Sequence, residues 1–262
     1  MEVLFIGDIF AKQGMQAVQK GLEILKKEYT WDYCIANGEN AAAGKGINAR
    51  IANELHEMGI DGITLGNHVW AREEVLFYID SDNYVARPAN YSIHSPGKGG
   101  FILDGKKGVL GVLNLSGRVY MQPCNCPFES CETELPKIKE KTKAIIVDFH
   151  GEATSEKSAF AWHFDGRVSA VIGTHTHVQT ADERILPFGT AFITDVGMTG
   201  PYEGIIGTER ESSISRFLTG VPAKFLPQKG SVIFNAVHIN IDDKTGQSTN
   251  IERINFILEI GV

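Results

Sequence analysis

At 262 residues the chain is long enough to bury a sizeable core, as one α/β domain or two small ones. A formal net charge of −7 argues against sequence-independent binding of long nucleic acid, which needs a positive surface to release counterions; a small nucleotide stays open. No apolar segment approaches the roughly 20 residues that cross a bilayer, and Met1-Glu2 enters a strand-like run with no basic leader, so the expectation is a cytoplasmic protein off the membrane.

Val3-Leu4-Phe5-Ile6 ends in Gly7-Asp8, the pattern of a strand buried on both faces. From about 13 to 29, Ala17, Gly21, Leu22 and Leu25 recur at helical spacing. Tyr33-Cys34-Ile35-Ala36 is a second buried strand running into Asn37-Gly38-Glu39-Asn40. Asn48 is placed to cap a helix carrying Ile51, Leu55 and Met58, with Gly59 closing it. A third strand, Gly62-Ile63-Thr64-Leu65, ends in Gly66-Asn67-His68, and a helix is expected over 72–79. Strand and helix alternating with short connections predict a parallel sheet covered by helices.

In the middle, 84–89 reads as a strand and 101–115 as a hairpin around Asp104-Gly105-Lys106-Lys107. Residues 116–136 read as a long connection holding Pro123, Pro127, Cys124, Cys126 and Cys131. Three cysteines without a nearby histidine fall short of a four-ligand zinc site, so these and Cys34 are read as reduced thiols. Alternation resumes with a strand over 144–147 leading to His150, a helix over 155–164 and a strand over 168–172 feeding Gly173-Thr174-His175-Thr176-His177. A strand over 192–194, a short helix over 210–218 and two strands over 231–241 and 249–258 follow, the last pair joined by a turn containing Asp242-Asp243. With no repeat or linker visible, one domain over 1–262 is expected.

Asp8, Glu39 with Asn40, Asn67 with His68, His150, and His175 with His177 each follow a predicted parallel strand. Ligands of open α/β sheets lie beyond the carboxyl ends of the strands. Singly, each residue has a structural reading: Asp8 as a helix cap, Asn67 as a turn former, His150 as a satisfied buried imidazole. Five runs delivering such groups to one edge favour a site. Imidazole, carboxylate and amide oxygen suit iron, manganese or zinc. The set exceeds one tetrahedral zinc but matches two metals sharing a bridging carboxylate; such a pair, roughly 3.5–4 Å apart, can hold a hydroxide for attack on phosphorus.

The ordered motifs Gly7-Asp8, Gly38-Glu39-Asn40, Gly66-Asn67-His68, His150 and Gly173-Thr174-His175-Thr176-His177 resemble the calcineurin-like metallophosphoesterases, whose pattern is D-x-H, G-D-x-x-D, G-N-H, a lone H and G-H-x-H. Three positions depart from it: Phe10 stands at the first histidine, Glu39 at the bridging aspartate, and Thr174 before the H-x-H. Those departures, with Gly-Glu-Asn-Ala-Ala at 38–42 and Asp-Val-Gly-Met-Thr-Gly at 195–200, are similar to the bacterial YmdB-like branch of 2′,3′-cyclic-nucleotide phosphodiesterases. The resemblance covers essentially the whole chain. It implies an α/β sandwich of two central mixed β-sheets flanked by helices, in α-β-β-α order. It implies one metal held by Asp8, Glu39, Asn40 and His177 and a second by Glu39, Asn67, His150 and His175, Glu39 bridging and Asn40 compensating for the histidine absent at Phe10. Iron or manganese is preferred, zinc being the alternative. His68 is the implied general acid, a small cyclic nucleotide the implied substrate, and a homo-oligomer, dimer or tetramer, the implied assembly.

Competing readings keep the same machinery but change the substrate to a 3′,5′-cyclic nucleotide, a phosphomonoester or a nucleic acid, or make the protein a metal- or nucleotide-binding regulator with incidental catalysis. Gly44-Lys45-Gly46, and Arg118 with Tyr120, are lesser candidates for gripping phosphate or a base. His56, His94, His163 and His238 lie off the strand tips and are read as structural or exposed.

Overall fold

The computed structural model describes residues 1–259. Its elements run β1 (Glu2–Ile6), β2 (Asp8–Ile9), α1 (Ala11–Leu25), β3 (Tyr33–Asn37), α2 (Ala49–Met58), β4 (Gly62–Thr64) and β5 (Val85–Ala86). The middle contributes β6 (Gly100–Gly105), β7 (Gly108–Ser116), α3 (Pro127–Lys139), β8 (Ile145–His150), α4 (Thr154–His163), β9 (Ala170–Thr174), β10 (Arg184–Ile185) and β11 (Ala191–Ile193). Last come β12 (Met198–Pro201), α5 (Arg210–Thr219), β13 (Val232–Ile241) and β14 (Ser248–Leu258).

Two mixed sheets result. In the first, β1, β3, β4 and β5 are parallel, β13 lies antiparallel against β1, and β14 covers the other edge of β13. In the second, β7, β8, β9 and β11 are parallel, with β6 and β10 antiparallel at the edges. Side chains alternate across a strand, so each apolar run is divided between two cores. Leu4 and Ile6 of β1 join the layer under α1 and α2, whereas Val3 and Phe5 join the layer between the sheets. Ile145, Val147 and Phe149 of β8 pack with α3 and α4, and Ile146 faces inward. The expected α-β-β-α sandwich is therefore present.

The same alternation positions the site. Asp148 and His150 share a face with Ile146, and Thr174 shares one with Ala170 and Ile172, so all three polar side chains point between the sheets at their carboxyl ends. Asn37 does so from the first sheet, following Tyr33 and Ile35.

Local chemistry accounts for the helix ends. Asn48 Oδ1 accepts the Ile51 N–H at 3.0 Å, and Gly59 closes α2 in the left-handed region at φ 101°, both as the sequence predicts. The helix expected over 72–79 is instead a 3-10 helix, Glu73–Phe77, in which only Val75 is buried. One apolar anchor gives little reason for a longer helix. The strand expected over 84–89 stops at Ala86, because Pro88 has no N–H to continue a ladder. The expected connection over 116–136 contains α3. Pro127 occupies its first turn, where a missing N–H costs nothing, and Phe128, Cys131, Leu135 and Ile138 form its packed stripe. Cys131 therefore belongs to the core, where burial pushes its thiol to about 12, and all four cysteines are free. No helix among the described residues is long and apolar enough to cross a membrane.

Gly21 provides a test of this packing. A Cβ there would lie 2.3 Å from Phe234 Cδ2, and Phe234 is fully buried and stacked on Phe256 at 5.2 Å. Gly21→Ala gains about 1 kcal/mol of helix propensity but overpacks the core by about 1–3 kcal/mol. The expected outcome in urea unfolding is a net loss of up to about 2 kcal/mol, recovered in a Gly21→Ala/Phe234→Leu double variant. A single variant more stable than the parent would contradict this packing.

Candidate metal centre

The five strand tips meet. His150 Nε2 lies 3.0 Å from Asn67 Oδ1, 3.1 Å from Glu39 Oε1 and 3.0 Å from His175 Nδ1. One ligand atom from each of Glu39, His150 and His175 falls within 4.8 Å of the others. Asp8 joins through Oδ2, which accepts the His175 N–H at 3.2 Å. Glu39 Oε2 accepts the His68 N–H at 3.1 Å. Asn40 spans the gap to the last pair, its Nδ2 3.0 Å from His177 Nε2 and its Oδ1 2.9 Å from His68 Nδ1. The approach is so close at Gly66 that a Cβ there would stand 2.2 Å from Glu39 Oε2 and 2.4 Å from His150 Nε2. All seven candidate ligands and His68 are thus gathered. His175 sits on the His150 side and His177 on the Asn40 side.

The H-x-H segment is not extended. β9 ends at Thr174, and His175 and His177 have φ of 104° and 68°, a region that costs a non-glycine residue of order 1–3 kcal/mol. Asp195 holds it there, its Oδ2 accepting the Thr176 N–H at 2.9 Å, while the fully buried Lys157 ammonium donates to that oxygen at 2.8 Å and to Thr174 O at 2.7 Å.

Ring orientation is set by a second layer in which Thr174 of the last motif joins residues outside the motifs. Asp148 Oδ1 accepts the Thr174 hydroxyl at 2.7 Å, and Thr174 Oγ1 lies 2.8 Å from His150 Nδ1. A hydroxyl that donates to Asp148 must accept from the imidazole, so Nδ1 carries hydrogen and Nε2 faces the cluster. Asn37 Nδ2 donates to Asp148 Oδ2 at 2.9 Å, completing the chain from the other sheet. His177 Nδ1 is likewise directed at Ile206 O, 3.0 Å away. Asp148, Lys157, Asp195 and Glu152, which lies 3.2 Å from His175 Nε2, are participants that sequence reasoning misses. The one available signal was Asp148 at an inward position of an otherwise apolar strand.

These residues fit a cation. Asp8 is fully buried, yet its Oδ1 has no hydrogen-bond partner. Burial, reinforced by Asp195 and Glu39, pushes its carboxyl well above the usual range. Burial also opposes charge on Glu39 and His150, but their mutual attraction wins, holding Glu39 well below the ordinary range and pushing His150 up to about 9. Burial, with His150 adjacent, brings His175 down to about 3, and burial lowers His177, leaving both imidazoles with lone pairs at neutral pH. A bound dication would replace the protons on Asp8 and His150. An oxygen ligand from Asn40 requires its amide turned end for end, an exchange of two nearly isosteric groups.

Phe10, the departure from the resembled pattern, is buried, with its ring set edge-on to His177 at a centroid distance of 5.7 Å. Lys45 is exposed and shares a cavity wall with His68, whereas Arg118 and Tyr120 are placed elsewhere, their loop tied to Glu156 and Tyr120 90% exposed. His56 faces Ile60 O, His163 faces Glu132, His238 faces Thr30 O, and His94 is exposed, all as expected.

The family described as YmdB-like protein matches residues 4–254. A 2′,3′-cyclic-nucleotide 2′-phosphodiesterase of Bacillus subtilis (strain 168) is 47% identical over 254 residues, 97% of this chain and 96% of that protein. The crystal structure of a Mycoplasma pneumoniae protein described as a novel phosphatase superposes with a TM-score of 0.92 at 35% identity, covering 99% of this chain and 94% of that one. That of a hypothetical protein from Thermus thermophilus gives 0.90 at 43% identity, covering 99% of each.

Thr174→Val keeps the shape but removes the hydroxyl that fixes His150. Loss of such an outer partner typically lowers metal affinity about 10–100-fold. That loss is expected in chelator-competition titration, with Thr174→Ser near the parent. Equal affinity in the valine variant would remove Thr174 from this role.

Proposed function

This chain belongs to the YmdB-like family of metallophosphoesterases, and from that premise we propose that it opens the 2′,3′-cyclic phosphate of a nucleotide to leave the 3′-phosphate. The observation that supports it is the convergence of Asp8, Glu39, Asn67, His150, His175 and His177 on one space, with His68 beside it. Asp8, Glu39, Asn40 and His177 would hold one metal ion, and Glu39, Asn67, His150 and His175 the other. When bound, the ions supply Lewis acidity, neutralising phosphoryl charge and easing ionisation of water.

The chain's own residues do the rest. Water adds its oxygen to phosphorus and releases a proton to solvent, the P–O2′ bond breaks, and the departing O2′ takes a proton. His68 is the donor. Its Nδ1 lies 3.3 Å from Glu39 Oε1, an acceptor that keeps hydrogen on Nδ1. Nε2, without a protein partner among the described residues, is left to deliver the proton. Thr174 fixes His150, and Ile206 fixes His177, so the site is oriented before substrate arrives. Because each sheet supplies about half of the site, we read residues 1–262 as one domain. Four free thiols are consistent with a cytoplasmic setting.

The test is a metal and substrate panel on the purified chain. Expected are about two metal ions per chain, hydrolysis of 2′,3′-cyclic AMP to the 3′-monophosphate, and loss of that activity on chelation. Glu39→Ala should lose both metal and turnover. His68→Ala should keep the metal while turnover falls about 10²–10⁴-fold, the usual contribution of a positioned acid. Faster turnover of a phosphomonoester or of 3′,5′-cyclic AMP would reassign the substrate. Full activity in Glu39→Ala would end the metal reading.

A further inference from the structure

One cavity, of about 380 Å³, has both His68 and His177 in its wall. That volume is within the range of small-molecule sites. Three further features set it apart. Its charged residues are Lys45, Arg72 and Arg216, with no carboxylate among them, in a chain whose net charge is −7. Its walls include Phe10, Phe217 and Phe225, and the Arg216 guanidinium lies over the Phe225 ring at 5.0 Å. Finally, α5, which supplies Arg216 and Phe217, buries only Ser213 against the body, leaving Phe217 83% exposed at the cavity's lip.

A basic cavity with aromatic walls suits an anion that carries a flat, polarisable group, and its position fixes which part of the substrate enters. Asn40, His68 and His177, which border the candidate metal centre, share its wall with Arg216 and Phe217 of α5. A ribose whose O2′ meets His68 therefore projects its base away from the candidate metal ligands and toward α5. Arg72 is already committed, donating to Ala42 O at 2.6 Å and Lys45 O at 3.0 Å, and so braces the wall. Lys45 and Arg216 are left to face the ligand. The geometry points to a nucleobase subsite: Phe217 and Phe225 stack the base of the cyclic nucleotide, with room for a purine. This rests on the phosphodiesterase reading above and adds the part of the substrate that selects a nucleotide over other cyclic esters. The wall is also coupled to the centre, since Ile206, beside Thr208 in that wall, is the residue whose carbonyl faces His177 Nδ1.

The experiment compares two esters on the manganese-loaded full chain, 2′,3′-cyclic AMP and base-free ribose 2′,3′-cyclic phosphate. Stacking on an aromatic side chain is lost on alanine substitution. The ratio of the two kcat/KM values is therefore expected to fall about tenfold in Phe217→Ala and in Phe225→Ala, and to hold in Phe217→Tyr. A second readout needs no turnover: 2-aminopurine riboside 3′-monophosphate should be quenched on binding the metal-free parent, and not by Phe217→Ala. An unchanged ratio in both alanine variants overturns the subsite while leaving the phosphodiesterase reading intact. A parent that cleaves neither ester sinks that reading, and quenching that depends on Phe217 would then still support the subsite. An unchanged ratio with a shifted sedimentation coefficient reassigns Phe217 to contact between copies, which also overturns it.

Discussion

A hydrogen-bonded chain crossing from one sheet to the other, Asn37–Asp148–Thr174–His150, is the constraint on which the rest of the site depends. All four residues are completely buried, where an unpaired polar group costs several kcal/mol. Each member is acceptable only because its neighbour satisfies it. The two sheets can therefore approach at one spacing and in one register, and that register brings His150 to Asn67 and Glu39. Hydrophobic packing holds the sheets together, but it is tolerant of small slips. The polar chain is not, and it converts a layered apolar core into a site with fixed distances.

Much of this was legible in the sequence because parallel sheets are simple to read. An apolar run followed by a polar, metal-competent residue identifies a strand and its carboxyl end together, and the runs ending at Asp8, Asn40, His68, His150 and His177 did so. Alternation then says which faces are shared. What escaped was whatever depends on partners distant in sequence. Asp148 looks like an isolated acid in a strand until Asn37 and Thr174 are set beside it. Lys157 lies on an ordinary-looking helix and is nonetheless fully buried against Asp195. α3 was hidden by prolines that mark a break in most settings but open a helix in this one. The left-handed turns at His175 and His177 carry only a weak signature in residue type, since neither is glycine or asparagine.

Phe10 shows how one departure from a pattern can be absorbed. The resembled pattern has a histidine at that position, whereas this chain has an aromatic ring packed against His177. The neighbourhood is shaped to it: a Cβ at Gly44 would lie 2.9 Å from the ring and one at Gly207 3.0 Å. Asn40, bridged to Phe10 through the backbone, meets the same imidazole at Nε2. A donor has been exchanged for a wall, and the wall leads directly into the cavity beneath α5.

The strand order carries a consequence for how the protein is made. β1, which ends beside Asp8, lies inside the first sheet between β3 and β13, and the residues of β13 are 232–241. During synthesis from the N-terminus, β3 can pair early, but the opposite edge of β1 stays open until β13, some two hundred residues later, has been translated. Asp8 likewise waits for Gly197 and His175, whose backbones complete its hydrogen bonds. The nascent chain thus carries an unfinished sheet edge throughout elongation, the kind of surface that recruits chaperones. No fragment ending before β9 holds the two imidazoles of the H-x-H segment, so the candidate metal centre stays incomplete until that stretch has been made.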